Sequence, residues 1–321
     1  MKKLLLLLLT AIFLLAACGQ PVSKHTNTKV GLLLPETIND PVWGSKGYNG
    51  LLKIQSALKV DVYYKEGMNT KSDVKAALDE FEEEGVSLVF GHGSEFGPFF
   101  EDLHNNYPSI DFVYFNGSFT AENVTSIKFE SQAVGFFSGM IAAKMSKTKH
   151  IGVIAAFNWL PEIKGFVDGA KYQDHTVDVS VYNTKSWSNK EVALKAYKEM
   201  EEAGVDVFYP AGDLFNLPVI EAIKEDGHYA IGYVSDQSDL GDSTVLTSTI
   251  QQVEKVYELV ATEYVSGKFK HGIKSYDFQE GVISLGEFSS EIPNDFKNDI
   301  NKAVELYKLT GELPSKELRK E

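Results

Sequence analysis

The chain carries 321 residues, a formal net charge of −14, 43% hydrophobic residues and a single cysteine. That length is enough for two compact domains, each with a core of its own. The acidic balance repels phosphate backbones and argues against direct nucleic-acid binding, and one cysteine excludes an intramolecular disulfide, a dithiol redox pair and a cysteine-based zinc site.

At the start, Lys2-Lys3 precede an apolar run from Leu4 that ends in Leu15-Ala16-Ala17-Cys18. A positive start, an apolar middle and small residues at the cut make 1–17 a secretory signal peptide. The run falls short of the roughly 20 residues that a bilayer-spanning helix needs. Leu-Ala-Ala-Cys resembles the lipobox of bacterial lipoproteins. The resemblance implies cleavage before Cys18, lipid on its sulfur, and residence on the extracytoplasmic face of the cell membrane, with 18–28 as a flexible tether.

Beyond the tether, short apolar runs alternate with amphipathic stretches of helical length. Strands are expected at 29–34, 60–64, 88–91 and 112–115, then at 150–155, 177–181, 207–210 and 229–234. Helices are expected at 43–58, 72–84, 99–106, 161–172, 190–202 and 217–225, with a small-residue helix at 131–145 near a crossing between halves. Two more, from 249 to 265 and at 293–309, are not assigned to either half by periodicity.

The halves look alike. Glu83-Glu84-Gly85-Val86-Ser87-Leu88-Val89-Phe90 recurs as Glu202-Ala203-Gly204-Val205-Asp206-Val207-Phe208-Tyr209. The run around Gly31 is echoed around Gly152, and Lys46-Gly47-Tyr48 by Lys164-Gly165-Phe166, all at a spacing of roughly 120 residues. Alternating β and α with continuous apolar strands predicts an α/β fold of two doubly wound parallel-sheet lobes with a hinge and a central cleft. Lobe 1 is expected at 29–148 with some C-terminal return segments, lobe 2 at 149–248, and crossover segments with C-terminal helices at 249–321.

In such sheets ligands bind beyond the carboxyl ends of the strands. The first post-strand loop offers Asn39, Asp40 and Trp43, either as polar contacts and a stacking face for a planar ligand or as a helix start, with Asp40 as cap, Pro41 at the first turn and Trp43 in the core. Gly91-His92-Gly93-Ser94-Glu95-Phe96 and Ala211-Gly212-Asp213-Leu214-Phe215-Asn216 read either as tight turns or as places where backbone approaches a ligand. Asp236-Gln237-Ser238-Asp239 lacks the spacing of a calcium loop, and no metal or cofactor is implied. Hydrolase, metalloprotease, nucleotide-binding and dinucleotide-binding motifs are all missing, which argues against an enzyme.

The segment from Asp40 to Gly50, Gly91-His92-Gly93, Gly135-Phe136-Phe137-Ser138-Gly139, Gly204-Val205-Asp206-Val207 and Asp236-Gln237, in that order, resemble the basic membrane protein family of substrate-binding lipoproteins, whose nucleoside binders are called PnrA-like. The resemblance implies a type I periplasmic-binding-protein-like fold and a nucleoside-like ligand passed to an ABC-type permease. It places Trp43 and Trp187 at two aromatic positions against a base and Asp236 on a sugar. Asn116 stands where aspartate is usual and Gln251 where lysine is usual, which alters the polar end of the pocket. The runs at 37–40, 62–67 and 232–241 resemble a branch of the family described as positive regulators of a competence transcription factor. That branch implies the alternative role of an indirect regulator with a membrane signalling partner and no bound DNA.

Overall fold

The computed structural model describes residues 28–39 and 43–314, so Cys18 with the leader and tether, and Asp40, lie outside the described residues. The first lobe runs β1 (Lys29–Leu33), α1 (Gly44–Leu58), β2 (Asp61–Lys65), α2 (Lys71–Glu83), β3 (Leu88–Gly91), α3 (Phe96–Leu103), β4 (Asp111–Phe115) and β5 (Val124–Phe129). Helix α4 (Gln132–Met145) leads into the second: β6 (His150–Ala155), α5 (Pro161–Gln173), β7 (Asp178–Asn183), α6 (Lys190–Glu202), β8 (Val207–Ala211), α7 (Asn216–Glu225), β9 (Tyr229–Val234) and β10 (Val245–Gln251). The chain then returns as α8 (Val253–Val265), β11 (Gly272–Tyr276), β12 (Ile283–Leu285) and α9 (Asn294–Thr310).

Each lobe holds a six-stranded sheet, in the orders β11-β5-β4-β3-β1-β2 and β12-β10-β9-β8-β6-β7. All pairs are parallel except β12 against β10. Helices cover both faces, as continuous apolar strands require. On one face of the first sheet, Phe81, Phe96 and Phe100 pack with Val89 and Phe112; the matching face of the second gathers Tyr197, Phe208, Ile220 and Ile223. A larger cluster runs under the other faces and joins the lobes.

The sequence repeat is a repeat of packing. At the end of α2, Gly85 at φ 76° lets the Val86 amide reach the Phe81 carbonyl (2.8 Å); at the end of α6, Gly204 at φ 89° lets the Val205 amide reach that of Met200 (3.1 Å). Both are left-handed helix stops that only glycine adopts cheaply. Between α4 and α5 the backbones touch: an added Cβ at Gly135 would stand 2.1 Å from the Glu162 carbonyl oxygen, and one at Gly165 would stand 2.0 Å from that of Gln132. The corresponding pair in the first lobe, α1 and α8, is glycine against aromatic, with Gly50 under Tyr257, and is laced by Lys46–Glu254 (3.7 Å) and Lys53–Glu258 (2.9 Å).

The lobe boundary expected at 148 falls earlier. α4 packs wholly in the second lobe against α5 and β10, so the chain crosses at Glu130-Ser131, where the Glu130 amide is still bonded to Tyr276. Returning, α8 and β11 join the first lobe, whereas β12 and α9 join the second, where Tyr307 packs on Phe137. Strands β5 and β10, which the apolar pattern did not reveal, are buried through hydroxyl-bearing residues: Thr125 and Ser126 in one, Thr247, Ser248 and Thr249 in the other.

Candidate functional site

In the first sheet the strand order reverses between β1 and β3, and in the second between β6 and β8. The crevices of a doubly wound fold open at these switch points, beyond the carboxyl ends of the strands. The loops there carry Glu36, Trp43, His92 and Glu95 in the first lobe, and Phe157, Trp159, Asp213 and Asn216 in the second.

Helix α1 starts at Gly44, with Trp43 in the cap position and no side-chain cap. This is later than the start at Pro41 that a cap by Asp40 would give. The Trp43 ring stacks on His92, with centroids 4.4 Å apart and planes within 15°. Its indole N–H donates to the His92 carbonyl (3.3 Å), and His92 Nε2 bonds the Trp43 carbonyl (2.7 Å). A carbonyl can only accept, so Nε2 carries the proton. Nδ1, 2.9 Å from the Tyr257 hydroxyl, then accepts from a phenol that burial holds far above its ordinary pKa. His92 is wholly buried and Trp43 half-buried, so His92 backs the tryptophan and offers a ligand no surface of its own.

Next to them Gly93 sits at φ 150°, and a Cβ there would stand 2.2 Å from a Glu95 carboxylate oxygen. Glu95 occupies the cap position of α3 without capping it. Its side chain keeps exposed surface, yet loss of surrounding water lifts its carboxyl above the ordinary range. Its own backbone amide partly offsets this, and the like charge of Glu36 adds to it. Exposure together with desolvation is what a cleft wall produces. Asn39 is exposed, its amide and side chain both on the Thr37 hydroxyl (3.2 and 3.3 Å). Asn116, also exposed, closes β4 at φ 59° with its amide on the Ile127 carbonyl (2.7 Å).

In the second lobe Trp187 is half-buried and meets Phe157 edge-on at 5.3 Å; Phe157 stacks on Trp159 at 5.7 Å. Trp159 is 61% exposed. The Trp187 carbonyl accepts from the Leu214 amide (3.1 Å), tying the loop after β7 to the one that holds Asp213. Phe215 is wholly buried under Gly212, where an added Cβ would strike its ring at 2.1 Å. It therefore serves the core and not the cleft surface. Asn216 is buried, and its Nδ2 has no hydrogen-bond partner among the described residues. Asp236, exposed, accepts from the Ser238 amide (3.1 Å) and the Glu287 amide (2.9 Å), which fix its carboxylate. Just before it, Val234 stands at φ 64°, a conformation that costs a β-branched residue on the order of 1–3 kcal/mol. Gln251 is buried at the end of β10, where the chain crosses back.

Beneath this crossing lies Glu162, buried at the start of α5. It accepts from the Ser131 hydroxyl (2.6 Å) and, more weakly, from Tyr233 (3.4 Å), and burial pushes its carboxyl up. Of the expected residues, the fold brings Trp43, His92 and Gly93 into one contact group and sets Trp187 near the Asp213 loop. Glu36, Glu95 and Asn216 lie in the loops that the sequence pointed to without being picked as contacts, and Trp159 and Glu162 were not singled out. The repeat does not point to Trp159, since at the spacing of Lys46 and Lys164 Trp43 aligns with Pro161. Among the described residues no three metal-ligating side chains cluster, and no helix is long and apolar enough to cross a membrane.

A family profile described as ABC transporter substrate-binding protein PnrA-like matches residues 27–317. The chain belongs to this family. Among its PnrA-like relatives, the transcriptional activator protein Med of Bacillus subtilis (strain 168) is 49% identical, over 98% of this chain and 99% of its own length. The crystal structure of a transcriptional activator of the comK gene from Bacillus halodurans is 47% identical, covers 89% of this chain with 100% of its own, and has a TM-score of 0.84. An ABC transporter solute-binding protein from Aeropyrum pernix K1, 21% identical over 90% of this chain and 82% of its own, shares the fold at 0.70. Two parallel-sheet lobes with a cleft are thus the common frame of PnrA-like proteins and of this chain.

Proposed function

We propose that this PnrA-like protein is an extracytoplasmic receptor lipoprotein, anchored through Cys18, that closes its lobes on a small nucleoside-like molecule and presents it to an ABC-type permease. The observation that carries the reading is the placing of tryptophans at post-strand loops of both lobes, Trp43 on one side and Trp159 with Trp187 on the other, where a planar ligand can be stacked from two sides. Asp236, oriented by two amides, and Asn216, with a desolvated donor, supply polar contacts.

A second reading follows from the 49% identical relative named a transcriptional activator: the receptor frame serves regulation of competence through a membrane signalling partner. The net charge of −14 favours an indirect route over contact with DNA. Thermal unfolding of the full chain in mild detergent, against a panel of nucleosides and related metabolites, separates the two. A compound at about 100 times its dissociation constant stabilises the fold by about 2.7 kcal/mol. A shift lost in Trp43→Ala supports the receptor; a silent panel moves the weight to the regulator.

A further inference from the structure

The two ends of the sheets differ in charge. Among the described residues, the loops leaving the carboxyl ends of the parallel strands hold Lys185 as their lysine and no arginine, against Glu36, Glu66, Glu95, Asp213, Asp236 and Asp239 among their acids. The opposite ends are balanced, with Lys59, Lys147, Lys149, Lys268 and Lys270 in loops that lead into strands beside Glu84, Asp174, Asp206, Asp226 and Asp242. Helix starts also point at the cleft and favour anions there, so acids spent on capping would carry no message. Glu95 is not spent in that way: it sits at a cap position without a capping bond, and no described cation lies within ion-pair distance of Glu36, Glu95 or Asp236.

The Glu95 carboxylate folds back over Gly93, and the neighbouring His92 both carries the Trp43 ring and takes its N–H. A carboxylate folded over the glycine that follows the indole's backing histidine, in a fold whose second lobe offers an open indole at Trp159, supplies the chemistry that holds an organic ammonium: charge and ring faces. We infer that the cleft selects a positively charged organic ligand, with Glu95 as its counter-ion and Trp43 and Trp159 as its walls. The inference rests on the receptor reading above and narrows it. A nucleoside-like occupant is one that carries positive charge, and phosphorylated or carboxylate-bearing metabolites are repelled.

The chain has three tryptophans, namely Trp43, Trp159 and Trp187, all in cleft loops, so intrinsic fluorescence of the full chain reports occupancy directly. Two matched pairs serve as probes: choline with its uncharged carbon isostere dimethylbutanol, and 1-methyladenosine, a cation at neutral pH, with its uncharged isomer N6-methyladenosine. In at least one pair the cation should bind about ten-fold or more tightly than its partner. Glu95→Gln should erase that preference without moving the unfolding midpoint. If the midpoint does fall, Glu36→Gln, at an exposed position, carries the same test. An uncharged member that binds as well as its cation overturns the inference and leaves the receptor reading standing. Silence from all four probes at millimolar concentration also overturns it, because the proposed site of a carboxylate with two indole walls would take small ammonium ions at that level; with a silent metabolite panel it removes the receptor reading too.

Discussion

His92 has both ring nitrogens committed, one to a carbonyl and one to a phenol, so its role is to fix the angle of Trp43. Tyr257→Phe would strip the donor from a wholly buried acceptor. The expected loss is about 1–3 kcal/mol of folding stability, measured by urea denaturation; an unchanged midpoint would mean that the histidine flips to another partner. Glu162 gives a pH signature. An acid whose folded pKa lies above its ordinary value of 4.5 contributes stability in full below that value, and loses it as pH rises toward the folded pKa. Wild type should therefore lose stability as pH climbs above 4.5, and Glu162→Gln should flatten that decline and raise the unfolding midpoint at mildly alkaline pH. Tyr209 and Tyr233, which face Glu162, stay protonated across this range because burial raises both. A decline of equal slope in both proteins would assign it to other groups.

Among elements, the α4–α5 contact depends on the absence of side chains. Gly165→Ala puts a methyl group into backbone, and the two helices must part; a loss of about 1–3 kcal/mol is expected, read as a lower thermal midpoint. The same contact shows what sequence could reveal. Gly85 and Gly204 were legible as helix stops because a stop is a local event, and the strands of both lobes were legible wherever burial was met by aliphatic residues. β5 and β10 were not, because Thr125, Ser126 and Thr247 to Thr249 are buried with hydroxyls satisfied inside the fold, as when Ser126 bonds the Gly117 carbonyl (2.7 Å) and Thr249 that of Gly232 (3.1 Å). Alternation of polar and apolar side chains cannot register a polar group that has found a partner far along the chain. For the site, the loops were predictable from strand ends, but which of their rings faces solvent was not. Phe215 and Trp159 both follow strand ends, yet one is in the core and the other stands open.

For the whole molecule, the proposed anchor makes location part of function. Cys18→Ala should move the protein from the membrane fraction to the soluble one and weaken its activity in cells, as followed by fractionation beside a competence reporter; full activity of the released form would show that tethering is dispensable. The three crossings have a consequence of another kind. Because β11 completes the first sheet and β12 the second, one edge strand of each lobe is made only after nearly all of both lobes has been synthesised. Neither lobe can mature as the chain emerges, and a nascent chain interrupted after α8 leaves two unfinished sheets, each with β5 or β10 exposed as an open edge. Quality control during export thus meets one late, joint decision instead of two early ones, and damage near the C-terminus is felt at both ends of the molecule at once.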